Sequence, residues 1–179
     1  MSNNSGDVVW EGPSWRVRSY HLTRPDGSIA QKAYVEHPGA VVLVPVRGNE
    51  VLMLRQYRAS LADTILELPA GTRGQDEEWE SCAQRELREE TGYRAESLTA
   101  LGHVWPAPGY SDEVLAIYLA QELHPDPLAA DFDEIIELQP MPLETVEAMA
   151  WDGRLRDAKS VIGVLRAAAY FQASSPPDP

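Results

Sequence analysis

Side chains alternate from Trp15 to Tyr20, with Trp15, Val17 and Ser19 opposed to Arg16, Arg18 and Tyr20, and again from Ile29 to Val35. Pro25-Asp26-Gly27 between them is a turn signal, so this part predicts paired strands. Ala40 to Val46 is a continuous apolar run, as expected of a strand buried on both faces, and Val51 to Leu54 pairs back after the turn Arg47-Gly-Asn-Glu50. Further strands are predicted over Leu98–Trp105, Val114–Leu123 and Ile135–Leu138. Helical spacing governs the end of the chain, over Leu143–Trp151 and Arg156–Phe171, where Val161, Ile162, Leu165, Ala168 and Ala169 form one stripe. Strands and helices in this mixed order predict an α/β fold, a mixed sheet between helices. The chain reads as a single domain over residues 1–179, with 1–8 and 173–179 as disordered tails.

The segment from Glu77 to Gly92 breaks the usual rule for an amphipathic helix. Asp76 stands where an N-cap is expected, and Gly92 suits the left-handed residue that ends a helix. At about 100° per residue, Trp79, Cys82, Ala83, Glu86 and Glu90 share one face, and Glu89 borders it. Glu80, Ser81, Gln84, Arg88 and Thr91 take the other, polar face. The inward stripe therefore begins apolar and ends in carboxylates. Buried carboxylates are costly, and acids spaced three or four apart repel. Acids that continue an apolar stripe, rather than oppose it, call for a cation. Oxygen donors in this number suit Mg²⁺ or Mn²⁺ rather than zinc. Cys82, on the apolar half, is expected to be a small buried side chain.

Composition narrows the partners. The formal net charge is −13, which repels phosphate backbones and argues against nucleic acid. A phosphate compound as ligand would then need local positive charge, from bound metal or placed arginines. No apolar run reaches the roughly 20 residues of a membrane helix. The start of the chain lacks the basic and apolar regions of a signal peptide, and one cysteine forms no internal disulfide, so a cytoplasmic protein is expected.

Gly71, five residues, Glu77, seven residues and then Arg85-Glu86-Leu87-Arg88-Glu89-Glu90-Thr91-Gly92-Tyr93 resembles the signature of the Nudix hydrolases at its fixed positions. Tyr93 stands where that signature is usually aliphatic. The resemblance implies a Nudix-type α/β/α sandwich, here with an N-terminal strand extension. It implies metal ligands at Glu86, Glu89 and Glu90 and the carbonyl of Ala70, with Arg85 and Glu77 orienting the glutamates. Arg55-Gln-Tyr-Arg58, Glu67-Leu-Pro-Ala-Gly71, Trp105-Pro-Ala-Pro-Gly-Tyr-Ser-Asp-Glu113 and Gly153-Arg-Leu-Arg-Asp-Ala-Lys159 are similar to the ADP-ribose pyrophosphatase branch. That branch carries a proline about fifteen residues past the signature, where Pro108 stands.

The activity so implied is hydrolysis of the diphosphate bond of ADP-ribose to AMP and ribose 5-phosphate, with Mg²⁺ or Mn²⁺. Related enzymes place a glutamate on a mobile loop as general base, which points to Glu134, then Asp133, then Glu113. Arg55 and Arg58 suit bidentate contact with phosphate or ribose, and Pro108 and Glu113 belong to the implied substrate loop. Trp15, Tyr20 and Tyr34 are core residues or stack on adenine. The branch also implies a homodimer built by the N-terminal strands. Two other readings stand beside it: a nucleotide-sugar diphosphatase of the GDP-mannose or UDP-glucose type, and a sensor that binds ADP-ribose without cutting it. The retained glutamates oppose the sensor.

Overall fold

The computed structural model describes residues 6–129 and 135–174. At the N-terminus β1 (Asp7–Glu11), β2 (Arg16–Thr23) and β3 (Ile29–Glu36) form an antiparallel three-stranded sheet in that order. The first strand begins inside the segment read from sequence as a tail. Its apolar Val8, Val9 and Trp10 are exposed, and Trp10 packs on Trp15 with ring centroids 4.4 Å apart.

The larger sheet is mixed. Its main path runs β10 (Ile136–Pro142), β5 (Glu50–Arg58), β4 (Ala40–Arg47), β9 (Leu115–Pro125), β8 (Tyr93–Val104), with β6 (Asp63–Glu67) on β5 and β7 (Ala70–Thr72) on β4. The β4–β9 pair is parallel and the others are antiparallel. Two short strands, β6 and β7, were not anticipated, because three to five residues are too few to show a period. β10 is longer than expected and includes Pro140 and Pro142. It lies at the end of the path, where a missing N–H is tolerated.

β4 explains the layering. Val41 and Leu43 meet α1 (Trp79–Thr91) through Cys82, Ala83 and Leu87 on one face. Val42, Val44 and Val46 meet Val146 of α2 (Leu143–Asp152) and Val164 and Ala167 of α3 (Ala158–Ser174) on the other. Every residue from Ala40 to Val46 is buried, which is why this strand reads as an unbroken apolar run. Each fully buried Val or Leu contributes about 1.5–3 kcal/mol against exposure. The result is the α/β/α sandwich expected from the sequence.

The ends of α1 differ in part from expectation. Gly92 takes the left-handed conformation at φ 78° and its N–H returns to Arg88 O, as anticipated. The N-cap is Glu78 rather than Asp76, which sits at φ 60° outside the helix. Glu77 is held by side-chain bonds to Gly74 N and Arg85, so the chain cannot wind into helix until Glu78. Thr91, expected on the polar face, is buried and donates its hydroxyl to Leu87 O at 2.5 Å.

Candidate active site

α1 is anchored by Cys82, Ala83 and Leu87 against the sheet. One turn beyond Cys82 lies Glu86, and one turn further lies Glu90, so the buried stripe delivers both carboxylates to the β7 end of the sheet. Each is only 8% exposed. Glu90 Oε2 accepts the Ala70 N–H at 2.8 Å. Glu86 occupies the space a side chain on Gly71 would need: a Cβ there would lie 1.9 Å from its Cδ. Glycine at 71 is thus required by the close approach of a carboxylate to the backbone of β7.

Arg85 ties the loop before the helix to these acids. Its Nε and Nη2 each reach Glu77 at 2.9 Å, a bidentate pair, and Nη2 also reaches Thr72 O at 3.2 Å. Nη1 bridges Glu86 at 2.7 Å and Glu89 at 3.0 Å. The hydrogen bonds of Arg85 hold the Glu77 carboxyl down at about 2, against a partial burial that pushes it up. Glu77 in turn is first among the groups holding the Arg85 guanidinium above its usual range. Burial, with Glu77 and Glu86 nearby, raises the Cys82 thiol to about 12, so it is an unreactive packing residue as expected.

A depressed carboxylate pKa stabilises the fold above its unfolded value. The contribution of Glu77 is full above about 4.5 and is lost as pH falls through about 2. A Glu77→Gln variant is therefore expected to be less stable than the parent near neutral pH, by at most about 3 kcal/mol. The difference should narrow as pH falls below about 4.5 and close only below about 2, where the parent also loses its charge. Urea melts at pH 7 and pH 3 check this; a gap that stays constant with pH contradicts it.

The acids suit a divalent cation by their chemistry, which is all oxygen, and by the cradle that Gly71 leaves for Glu86. As they stand, with Arg85 bridging Glu86 and Glu89, no three acid, histidine or cysteine groups among the described residues converge enough to enclose an ion. Glu86 lies against Gly71, Glu90 accepts the Ala70 N–H, and Arg85 links Glu86 to Glu89.

A second charged cluster was not anticipated. Glu67 is 1% exposed, and burying a lone carboxylate would cost several kcal/mol. Arg58 meets it through Nε at 2.8 Å and Nη2 at 2.9 Å, and the Lys159 ammonium bonds the same carboxylate. Lys159 also reaches Asp157 Oδ2 at 2.9 Å. Asp157 accepts the Ser160 N–H at 3.1 Å at the start of α3, and Ser160 Oγ accepts the Leu68 N–H at 2.7 Å. The network pins Glu67 and Leu68, and so the approach to Ala70, to α3. Its members lie in the segments Arg55–Arg58, Glu67–Gly71 and Gly153–Lys159, but nothing in their spacing shows that these meet.

An open cleft of about 890 Å³ lies over β7 and the start of α1, lined by Ala70, Gly71, Arg85 and Glu86 and, on the other side, by the β1–β2 loop with Trp15. Arg58 lines it, while Arg55, three residues back on β5 and exposed, does not line it among the described residues. Arg58 is also committed to Glu67, a structural partner not foreseen. Pro108 is exposed in a turn closed by Tyr110 N–H to Ala107 O at 3.0 Å. That turn is held to β3 by Val35 N–H to Tyr110 O at 2.7 Å. Glu113 Oε1 stands 3.7 Å from Nδ1 of His37, which lines the cleft. Tyr20 and Tyr34 pack edge to face at 6.0 Å, away from the lining. Glu134, Asp133 and Asp131 lie outside the described residues.

The model of the NUDIX domain matches residues 36–161. An ADP-ribose pyrophosphatase of Bacillus subtilis (strain 168) is 36% identical over 143 residues, 78% of this chain and 77% of the relative. A GDP-mannose pyrophosphatase of Yersinia pestis (strain Pestoides F) is 30% identical over 171 residues, 88% of this chain and 85% of the relative. The fold matches a solved structure of an ADP compounds hydrolase with TM-score 0.83 at 24% identity, over 94% of this chain and 92% of that one.

Proposed function

This chain belongs to the NUDIX family, and we propose that it hydrolyses the diphosphate of ADP-ribose to AMP and ribose 5-phosphate. The observation that carries the reading is the placement of Glu86, buried against Gly71 at the wall of a cleft large enough for a nucleotide, with Glu90 one turn on and bonded to the Ala70 N–H. The similarity to the Bacillus subtilis ADP-ribose pyrophosphatase supports the substrate.

Glu86, Glu89, Glu90 and the Ala70 carbonyl would hold the metal, Mg²⁺ or Mn²⁺. When bound, the metal neutralises the diphosphate, acidifies water and stabilises the leaving phosphate. Arg85 and Glu77 orient the glutamates by the fork that joins them. The base that aligns water and takes its proton is Glu134, with Asp133 and Glu113 as the other candidates; comparing kcat for Glu134→Gln, Asp133→Asn and Glu113→Gln separates the three. Pro108 and Glu113 border the substrate on the loop that β3 holds. Arg55 contacts the substrate from outside the described cleft lining, and Arg58 from within it.

The described residues contain no helix long and apolar enough to cross a membrane. The reading is a single domain working in the cytoplasm as a homodimer. The exposed Val8, Val9 and Trp10 of β1 support the dimer, because neighbouring apolar side chains on an exposed strand favour cover by a partner. A single-chain mass in light scattering counts against it.

The second reading, a nucleotide-sugar diphosphatase, is favoured by the similarity to the Yersinia pestis GDP-mannose pyrophosphatase. A substrate panel decides between them. ADP-ribose is expected to give a higher kcat/KM than GDP-mannose, UDP-glucose and nucleoside triphosphates. A nucleotide sugar that wins the comparison replaces the first reading.

A further inference from the structure

Four arginines line the cleft: Arg16, Arg58, Arg73 and Arg85. Three of them are spent on carboxylates. Arg16 pairs with Glu11 at 2.8 Å, Arg58 with Glu67 at 2.8 Å and Arg85 with Glu77 at 2.9 Å. Arg73 is different. Its Nε donates to Pro38 O at 3.1 Å and its Nη1 to Glu77 O at 3.2 Å. Its guanidinium carbon sits 4.5 Å from the ring centroid of Trp79. Among the described residues no carboxylate lies within ion-pair distance of it. Two carbonyl dipoles and an aromatic face hold the group in place but leave its charge uncompensated. A guanidinium has five N–H donors, and two are used, so three remain.

A positive charge held this way is unusual in a chain of net charge −13. Its position follows from the same short loop that carries the acids. Arg73 lies two residues after Gly71, and its N–H bonds to Gly39 O at 3.0 Å, which continues the pairing of β7 with β4 past Thr72. Trp79 is the first residue of α1 and packs on the core beneath. Loop, helix start and β4 thus fix the guanidinium before any ligand arrives. A fixed fork loses less entropy on binding an oxyanion than a free one.

We propose that Arg73 binds a phosphate of the substrate, as the arginine of the cleft lining that has no carboxylate partner among the described residues. This rests on the reading of the chain as a diphosphatase. The metal and Arg73 have separate duties: the carboxylates gather charge around the bond that breaks, while Arg73 grips a phosphate alike before and during the reaction. A contact equal in ground and transition state lowers KM without raising kcat.

Arg73→Gln is therefore expected to raise the KM for ADP-ribose about tenfold or more while kcat stays within about threefold. In calorimetry, the variant should bind AMP or ribose 5-phosphate about tenfold more weakly, the affected product showing which phosphate is gripped, while adenosine binds as before. Arg73→Lys keeps the charge and the stem but not the fork, and should fall between the two; it decides the matter if the glutamine variant does not fold. A KM within about twofold of the parent overturns the proposal. So does equal weakening of adenosine and of the phosphate compounds, since that is what a merely structural arginine would give. If the parent enzyme turns over GDP-mannose instead of ADP-ribose, the substrate reading fails by itself. The Arg73 comparison is then made with GDP-mannose, GMP and guanosine, and stands or falls separately.

Discussion

Glu90→Gln is expected to lower kcat at least about 10³-fold while the protein stays folded, because it removes one charge from the group proposed to hold the metal. The substitution is conservative in shape. Glu90 Oε2 accepts the Ala70 N–H at 2.8 Å, and a glutamine carbonyl oxygen can accept the same bond. Glu86 lies one turn away on the same helix face, so losing a negative charge relieves repulsion worth a few tenths of a kcal/mol. Stability should hold or rise slightly as activity falls. Opposite movements of this kind separate a metal ligand from a packing residue, whose loss would lower both together. The measurement is kcat with saturating Mg²⁺ beside a thermal melt. A variant that turns over within about tenfold of the parent removes Glu90 from the metal set.

Gly71→Ala is expected to cost about 10²-fold or more in kcat/KM with a much smaller effect on stability. The new methyl would lie 1.9 Å from Cδ and 2.1 Å from both oxygens of Glu86. The three nearest atoms all belong to the far end of the Glu86 side chain, so the clash is relieved by swinging that side chain rather than by moving the sheet. That relief moves Glu86 away from the backbone of β7, where the proposed site needs it. The stability cost should be about 1 kcal/mol. Activity assays and urea melts on the same preparation check both halves. An alanine variant with normal activity would mean that the position of Glu86 does not matter to the reaction.

What could be read in the chain follows from range. β4 was legible because burial on both faces leaves only apolar residues from Ala40 to Val46. The acid-ended stripe of α1 was legible because Cys82, Glu86 and Glu90 repeat at one helical turn, and the spacing from Gly71 to Glu90 lies within one loop and one helix. The buried pairing of Glu67 with Arg58 and Lys159 was not, because the partners come from β5, β6 and α3 and only the fold brings them together. The same holds for Arg73, an ordinary loop arginine in sequence, which becomes distinctive only when the other three arginines of the cleft are seen to be paired. The start of α1 was misplaced for a related reason. Asp76 has the right side chain for an N-cap, but the fork between Glu77 and Arg85 holds the chain out of the helix for two more residues.

On the proposed reading, this cleft cuts a diphosphate with the help of a cation gathered by the α1 carboxylates. The most direct test is to incubate the purified protein with ADP-ribose and Mg²⁺, with and without excess chelator, and identify the products. AMP and ribose 5-phosphate are expected in equal amounts, none of either with chelator, and recovery when Mg²⁺ or Mn²⁺ is restored. Products of cleavage at any other bond, or undiminished AMP release in excess chelator, would contradict it.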